Sequence, residues 1–140
     1  MKRLLWTAAA CALLLAGCGT SAAQQLGQAL HMTVYLPKTL PQGLRYADGK
    51  KIGKAMVYLH YTSAHGRQAL VLFESPDPIS PPPGATQAKD GTWVAVSETR
   101  GETVRSLLVQ RKDAYVEVVA TGLTQAQMDA VQGSLTRYAP

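Results

Sequence analysis

Five runs of β-prone residues, the first two largely apolar, dominate the chain after residue 55 and commit it to a sheet-based fold. They are Met56 to Tyr61, Ala69 to Phe73, Thr92 to Glu98, Thr103 to Gln110 and Ala114 to Thr121. A strand sends successive side chains to opposite faces, so a period of two marks one face for burial. The first two runs flank the loop Ser63-Ala64-His65-Gly66-Arg67 and predict a hairpin with Val57 opposite Phe73, Leu59 opposite Val71 and Tyr61 opposite Ala69. Arg100-Gly101 suits a two-residue turn, glycine supplying positive φ, and Lys112-Asp113 marks the next. That register lines Val94, Val96, Leu107, Val109, Val116 and Val118 along one face; a slip of one residue would favour Trp93, Leu108 and Val119. Between the two groups, residues 75–91 hold five prolines, which lack the N–H a ladder needs, so this stretch is a loop.

The chain closes with a helix. Thr124 followed by Gln127 fits a capping box, in which each side chain takes up an orphan backbone N–H. Met128, Val131 and Leu135 form an apolar stripe to lay on the sheet, and Gly133 weakens the helix by roughly 1 kcal/mol relative to alanine. The expected fold is α+β: a mostly antiparallel sheet of five or six strands with a C-terminal helix packed on one face, built as a single domain over residues 33–140.

The opposite end is an address. Met1-Lys2-Arg3 is positive, Leu4 to Leu14 is apolar, and Leu15-Ala16-Gly17-Cys18 follows. The apolar run falls short of the roughly twenty residues that span a bilayer and has the layout of a secretory signal. Leu-Ala-Gly-Cys resembles the lipobox of bacterial lipoprotein signal peptides. The resemblance implies a signal peptide over residues 1–17, diacylglyceryl transfer to the Cys18 thiol, cleavage before it, and fatty-acylated anchoring at the extracytoplasmic side of a membrane. An ordinary secretory signal with an incidental cysteine is the competing reading; agreement at all four lipobox positions weighs against it. Residues 18–32, small and polar beyond the cysteine, read as a flexible tether of about 20 Å, within which Ala22 to His31 has the makings of a short helix. Cys11 leaves with the signal and Cys18 is consumed by lipid, so the exported chain holds together without a disulfide. Cleavage also removes Lys2 and Arg3 from a formal charge of +5. The remaining excess is too small to call for nucleic acid.

Leu36-Pro37-Lys38-Thr39-Leu40-Pro41-Gln42-Gly43-Leu44 resembles the opening of a family of extracytoplasmic domains of unknown function found with anti-sigma and sporulation-associated membrane proteins. The ending is similar too: Ala114-Tyr115-Val116-Glu117-Val118, then Gly122-Leu123-Thr124 and a helix finishing in Gly133-Ser134-Leu135. The resemblance covers about residues 34–136 and implies an antiparallel sheet with a C-terminal helix and no catalytic residue. The strand before Lys112-Asp113 departs from the pattern in having no tryptophan.

Candidate chemistry is sparse. His60 and His65 share a strand and its loop and His31 lies in the tether, short of the three or four spaced ligands zinc requires. Glu74 falls near Met56 under the expected pairing. There is no Gly-x-Ser-x-Gly elbow. Glu98 and Glu102 flank one turn, where charges are ordinarily solvated rather than catalytic. Lys50, Lys51 and Lys54 in one connection, and Arg100, Arg105, Arg111 and Lys112 near two turns, could face anionic lipid, but solvated turns are the simpler reading. The same holds for the Pro-x-x-Pro run from Pro76 to Pro83 as a surface connection rather than a polyproline II ligand. No metal, cofactor or catalytic residue is expected.

The second sheet face is the unusual feature. The expected pairing gives it Met56, Tyr58, Leu70, Leu72, Trp93, Leu108 and Tyr115, mixed with His60, Ser106 and Glu117, whereas a solvated antiparallel face is mainly polar. Either a curled sheet or the Pro-rich loop covers it, or it binds something apolar. Tyr58, Trp93, Tyr115 and Leu72 are the candidate binding face. The expected function is that of a non-enzymatic interaction module at the cell envelope, with an envelope protein as partner. The alternative is a carrier or sensor of a small apolar ligand held on that face. A hydrolase would need a polar cleft with nucleophile and base in hydrogen-bond reach.

Overall fold

The computed structural model describes the backbone of residues 14–140 and the side chains of residues 22–140. The signal segment over residues 1–13 and the side chain of Cys18 lie outside the described residues. Helix α1 (Leu14–Ala29) is followed by strands β1 (Val34–Pro37), β2 (Arg45–Ile52), β3 (Met56–Thr62), β4 (Ala69–Ser75), β5 (Thr86–Gln87), β6 (Trp93–Thr99), β7 (Glu102–Gln110) and β8 (Tyr115–Thr121), then helix α2 (Gln125–Ser134) and strand β9 (Leu135–Tyr138). Seven strands form one antiparallel sheet in the order β2-β3-β4-β8-β7-β6-β5, and β1 pairs with β9 in a separate ribbon. The sheet is thus two meanders joined side by side through β4 and β8, and the Pro-rich connection carries the chain from one to the other. The fold is α+β, with more strands than the five or six expected, because β2, β5 and the ribbon carry little apolar alternation.

In β3, β4 and β8 every second residue is buried, and the buried set faces both helices and the ribbon. Leu59, Leu70, Leu72, Leu107, Val116 and Val118 meet Val34, Met128 and Val131 in one core.

The register of the second meander agrees with its sequence. Val94 lies opposite Leu107, Leu107 opposite Val118 and Val109 opposite Val116. Arg100 and Gly101 both take positive φ, 53° and 77°, as a two-residue hairpin turn of the favoured twist demands.

The first hairpin is shifted by one residue from the expected pairing. Leu59 lies opposite Leu72, His60 opposite Val71, and Thr62 opposite Ala69. The cause is local. Ser63 donates its N–H to the Gln68 carbonyl at 3.0 Å and accepts the Gln68 N–H on Oγ at 3.1 Å. That bracket sets Gln68 opposite Ser63, adds one pair to the ladder, and turns Leu70, Leu72 and Glu74 inward while Ala69, Val71 and Phe73 turn outward.

Residues 22–32 are no flexible tether. Ala23, Leu26, Gly27 and Leu30 recur at i, i+3, i+4 and i+7, and this stripe lies on the core, with Ala23 fully buried and Leu26 and Leu30 packed against it. The face is built of alanine and glycine as much as leucine, so its hydropathy is weak while its close approach to β1 and β2 is strong. The helix continues through Cys18 to Leu14 along the backbone.

At the other end the capping box is present: Gln127 N–H donates to Thr124 Oγ1 at 3.2 Å, and Thr124 N–H to Gln127 Oε1 at 2.9 Å. Met128 and Val131 are buried as the stripe requires. Leu135 leaves the helix and opens β9 opposite Pro37. Ser134 makes the break, donating to the Val131 carbonyl at 3.0 Å and accepting Thr39 N–H at 3.0 Å.

Candidate functional site

Both helices and the ribbon lie on one face of the seven-stranded sheet; among the described residues no helix or strand crosses the other. On that open face the register aligns a row of side chains over all seven strands: Lys50, Tyr58, Phe73, Glu117, Leu108, Trp93 and Gln87. Beside it runs a second row of Asp48, His60, Val71, Val119, Ser106 and Ala95. Tyr58, Phe73, Val71, Val119 and Trp93 are all partly exposed, whereas Leu108, between Glu117 and Trp93, is buried, so solvent reaches much of the face but not all of it.

Its β2 margin is polar. The Lys50 ammonium stands 5.2 Å from the Tyr58 ring centroid, within the range of a cation–π attraction. His60 Nδ1 meets Asp48 Oδ1 at 3.0 Å. Tyr58 and Phe73 pack with ring centroids 5.6 Å apart, a separation typical of tilted aromatic pairs. Burial, and then the nearby Asp48 charge, push the Tyr58 phenol above its ordinary pKa. Glu117, between Phe73 and Leu108, is likewise raised by desolvation.

Of the four residues expected on this face, Tyr58, Trp93 and Tyr115 are on it. Leu72 is not: the shifted hairpin turns it inward, where it is fully buried. Leu70 moves inward with it. Phe73, Val71 and Val119 take their place, and correct pairing of Ser63 with Gln68 is the signal that would have found the first two. Tyr58 and Trp93 occupy the same row four strands apart, about 19 Å at the usual strand spacing. They therefore border a broad surface rather than close on one small ligand. None of the three aromatic residues lines a cleft of about 270 Å³ elsewhere on the domain, which is walled by residues such as Arg67, Arg105 and Leu123.

Two acidic residues on the covered side have structural surroundings. Glu74 lies opposite Val57 and Val116, one residue along from the expected partner Met56. It is fully buried and accepts the Tyr35 N–H at 2.7 Å on one carboxyl oxygen, while the other has no partner. Burial drives its pKa up to about 8, against the smaller opposing effect of that hydrogen bond. Asp113, at the β7–β8 turn, accepts from Tyr35 Oη, Thr33 Oγ1 and Arg137 and is held down to about 2, chiefly by Arg137. These contacts fasten the ribbon to the large sheet.

Elsewhere, Glu98 accepts the Thr103 hydroxyl at 2.6 Å, and Glu102 stands opposite Thr99 rather than Glu98, so the two glutamates form no carboxylate pair. Among the described residues no three His, Cys, Asp or Glu side chains gather as a metal set, and no helix is long and apolar enough to cross a membrane. No protein-family model and no curated protein matches the chain, so its resemblance to the extracytoplasmic family rests on the short motifs around Pro37 and Tyr115.

Proposed function

We propose that the chain is an extracytoplasmic lipoprotein, anchored through lipid on Cys18, whose domain is a non-enzymatic interaction module of the cell envelope. The partner is a protein seated on the open sheet face. One observation carries this reading: Tyr58, Phe73, Val71, Val119 and Trp93, all partly exposed, share the sheet face that no helix or strand covers among the described residues, with Glu117 and the buried Leu108 between them. An apolar face of that extent is costly to leave in water and usually marks an interaction surface. Its breadth favours a protein over a small apolar ligand, which needs an enclosing concavity.

The address and the surface are tested separately. Wild-type protein should incorporate labelled fatty acid and partition into detergent, and Cys18→Ala should do neither; equal labelling of the two would remove the anchor. For the surface, a photo-reactive residue replacing Phe73 should give a discrete cross-linked adduct in cells, whereas one replacing exposed Gln125 on α2 should not. Adducts of equal yield and pattern from both positions would contradict a dedicated face.

A further inference from the structure

Away from the open face, the cleft of about 270 Å³ sits where the β3–β4 loop, the start of β7 and the β8–α2 connection meet, lined among others by Arg67, Glu102, Thr103, Arg105, Thr121 and Thr124. Arg105 shares the covered face with Leu107 and Val109, but the cover ends there: Val96, its partner across the ladder, is 58% exposed. The Arg105 Nε is buried without a hydrogen-bond partner, and neither Arg105 nor Arg67 has an ion-pair partner among the described residues. A guanidinium is always charged and carries a fixed fork of donors suited to oxyanions. Leaving the buried Arg105 Nε unmade costs free energy, and the exposed Arg67 adds a second charge beside the same cleft, so the pair favours an anionic occupant.

Arg67 is held there by the backbone. The Gln68 side chain donates to the Gly122 carbonyl at 3.3 Å, and Gly122 approaches so closely that a Cβ would stand 2.5 Å from the Arg67 carbonyl oxygen. The hydroxyls differ in what they can offer. Thr103 already donates to Glu98, while Thr124 Oγ1 accepts from the helix and keeps its own proton. The capping box occupies the N–H groups of residues 124 and 127, and the two arginines supply the full positive charges beside the cleft. Glu102 at the rim offsets one of the two charges.

We propose that this cleft binds a phosphate group. Two guanidinium forks with hydroxyl donors offer more hydrogen bonds than the two oxygens of a carboxylate can accept, whereas a tetrahedral phosphate accepts on several oxygens. The volume lies just under the usual range for drug-sized ligands and suits a small anion. The phosphate can be free or carried on a headgroup-like monoester.

Titration calorimetry on the full chain in a non-ionic, phosphate-free detergent tests this with inorganic phosphate, glycerol phosphate and acetate as probes. Phosphate should bind and acetate should bind at least about tenfold more weakly. Arg67→Gln, on an exposed loop, and Arg105→Gln should each weaken phosphate about tenfold, the loss expected for one charge-assisted contact. Glu102→Gln should tighten it. Glycerol phosphate binding tighter than inorganic phosphate would assign a monoester; the reverse would assign the free ion. Should Arg105→Gln fail to fold, Arg67→Gln and Glu102→Gln still decide the matter. No heat with phosphate, equal affinity for acetate, or affinities unchanged in Arg67→Gln and Glu102→Gln would each overturn the proposal.

Discussion

Glu74 is the residue at which sequence pattern and interior chemistry conflict. It stands in β4 at a position otherwise given to leucine, so the fold buries a carboxyl and keeps it protonated to about pH 8. In the unfolded chain the same group ionises near the ordinary glutamate value of 4.5. The folded state therefore binds the extra proton between those values, and stability falls as pH rises through that window, by about 1.4 kcal/mol per unit. The contribution is fully present below 4.5 and lost above about 8. Denaturant melts at pH 5 and pH 8 should show this decline in the wild type and a much smaller one in Glu74→Gln; parallel declines would mean Glu74 is not the group responsible. Asp113 behaves oppositely. Its contribution, present above the ordinary carboxylate range, disappears as pH falls through about 2. Asp113→Asn should thus melt below wild type at pH 7 and alongside it at pH 2.

At the scale of elements, legibility followed how each turn is pinned. The β6–β8 register was readable because Arg100-Gly101 permits one tight turn and Lys112-Asp113 follows at matching distance. The β3–β4 register was not, because Ser63 brackets Gln68 with backbone and side chain together, and a slip of one residue exchanges the faces of a strand. That single pair moved Leu72 and Glu74 from the candidate face to the core. Helix α2 was legible from its cap and stripe, and Val131→Asp should destabilise the domain strongly by burying an unpaired charge, while Ala130→Asp, exposed on the same helix, should change the melt little. Equal melts would misplace the helix face. The α1 helix was hidden because alanine and glycine make its contact surface. Ala23→Asp should cost at least about 2 kcal/mol, in the range that marks a buried charge, and Ala22→Asp little; the same small effect from both would restore the tether.

At the scale of the whole molecule, one sheet face serves the core and the other is the proposed partner surface. All packing elements, α1, α2 and the β1–β9 ribbon, lie on the first face, which leaves Tyr58, Phe73, Val71, Val119 and Trp93 partly exposed on the second. The part of this site that was readable, Tyr58, Trp93 and Tyr115, came from large β-prone residues out of phase with the core; Lys50 and Asp48 were missed because β2 is too polar to read as a strand. Neighbouring residues in β4 separate the two faces. Denaturant melts of Leu72→Ala and Phe73→Ser measured side by side bear on this most directly. Leu72→Ala should cost about 2–5 kcal/mol, as buried leucines do. Phe73→Ser should cost less than about 2 kcal/mol, within the range of substitutions outside a core. An equal or larger loss for Phe73→Ser would mean that its face is core as well, and the binding surface would be contradicted.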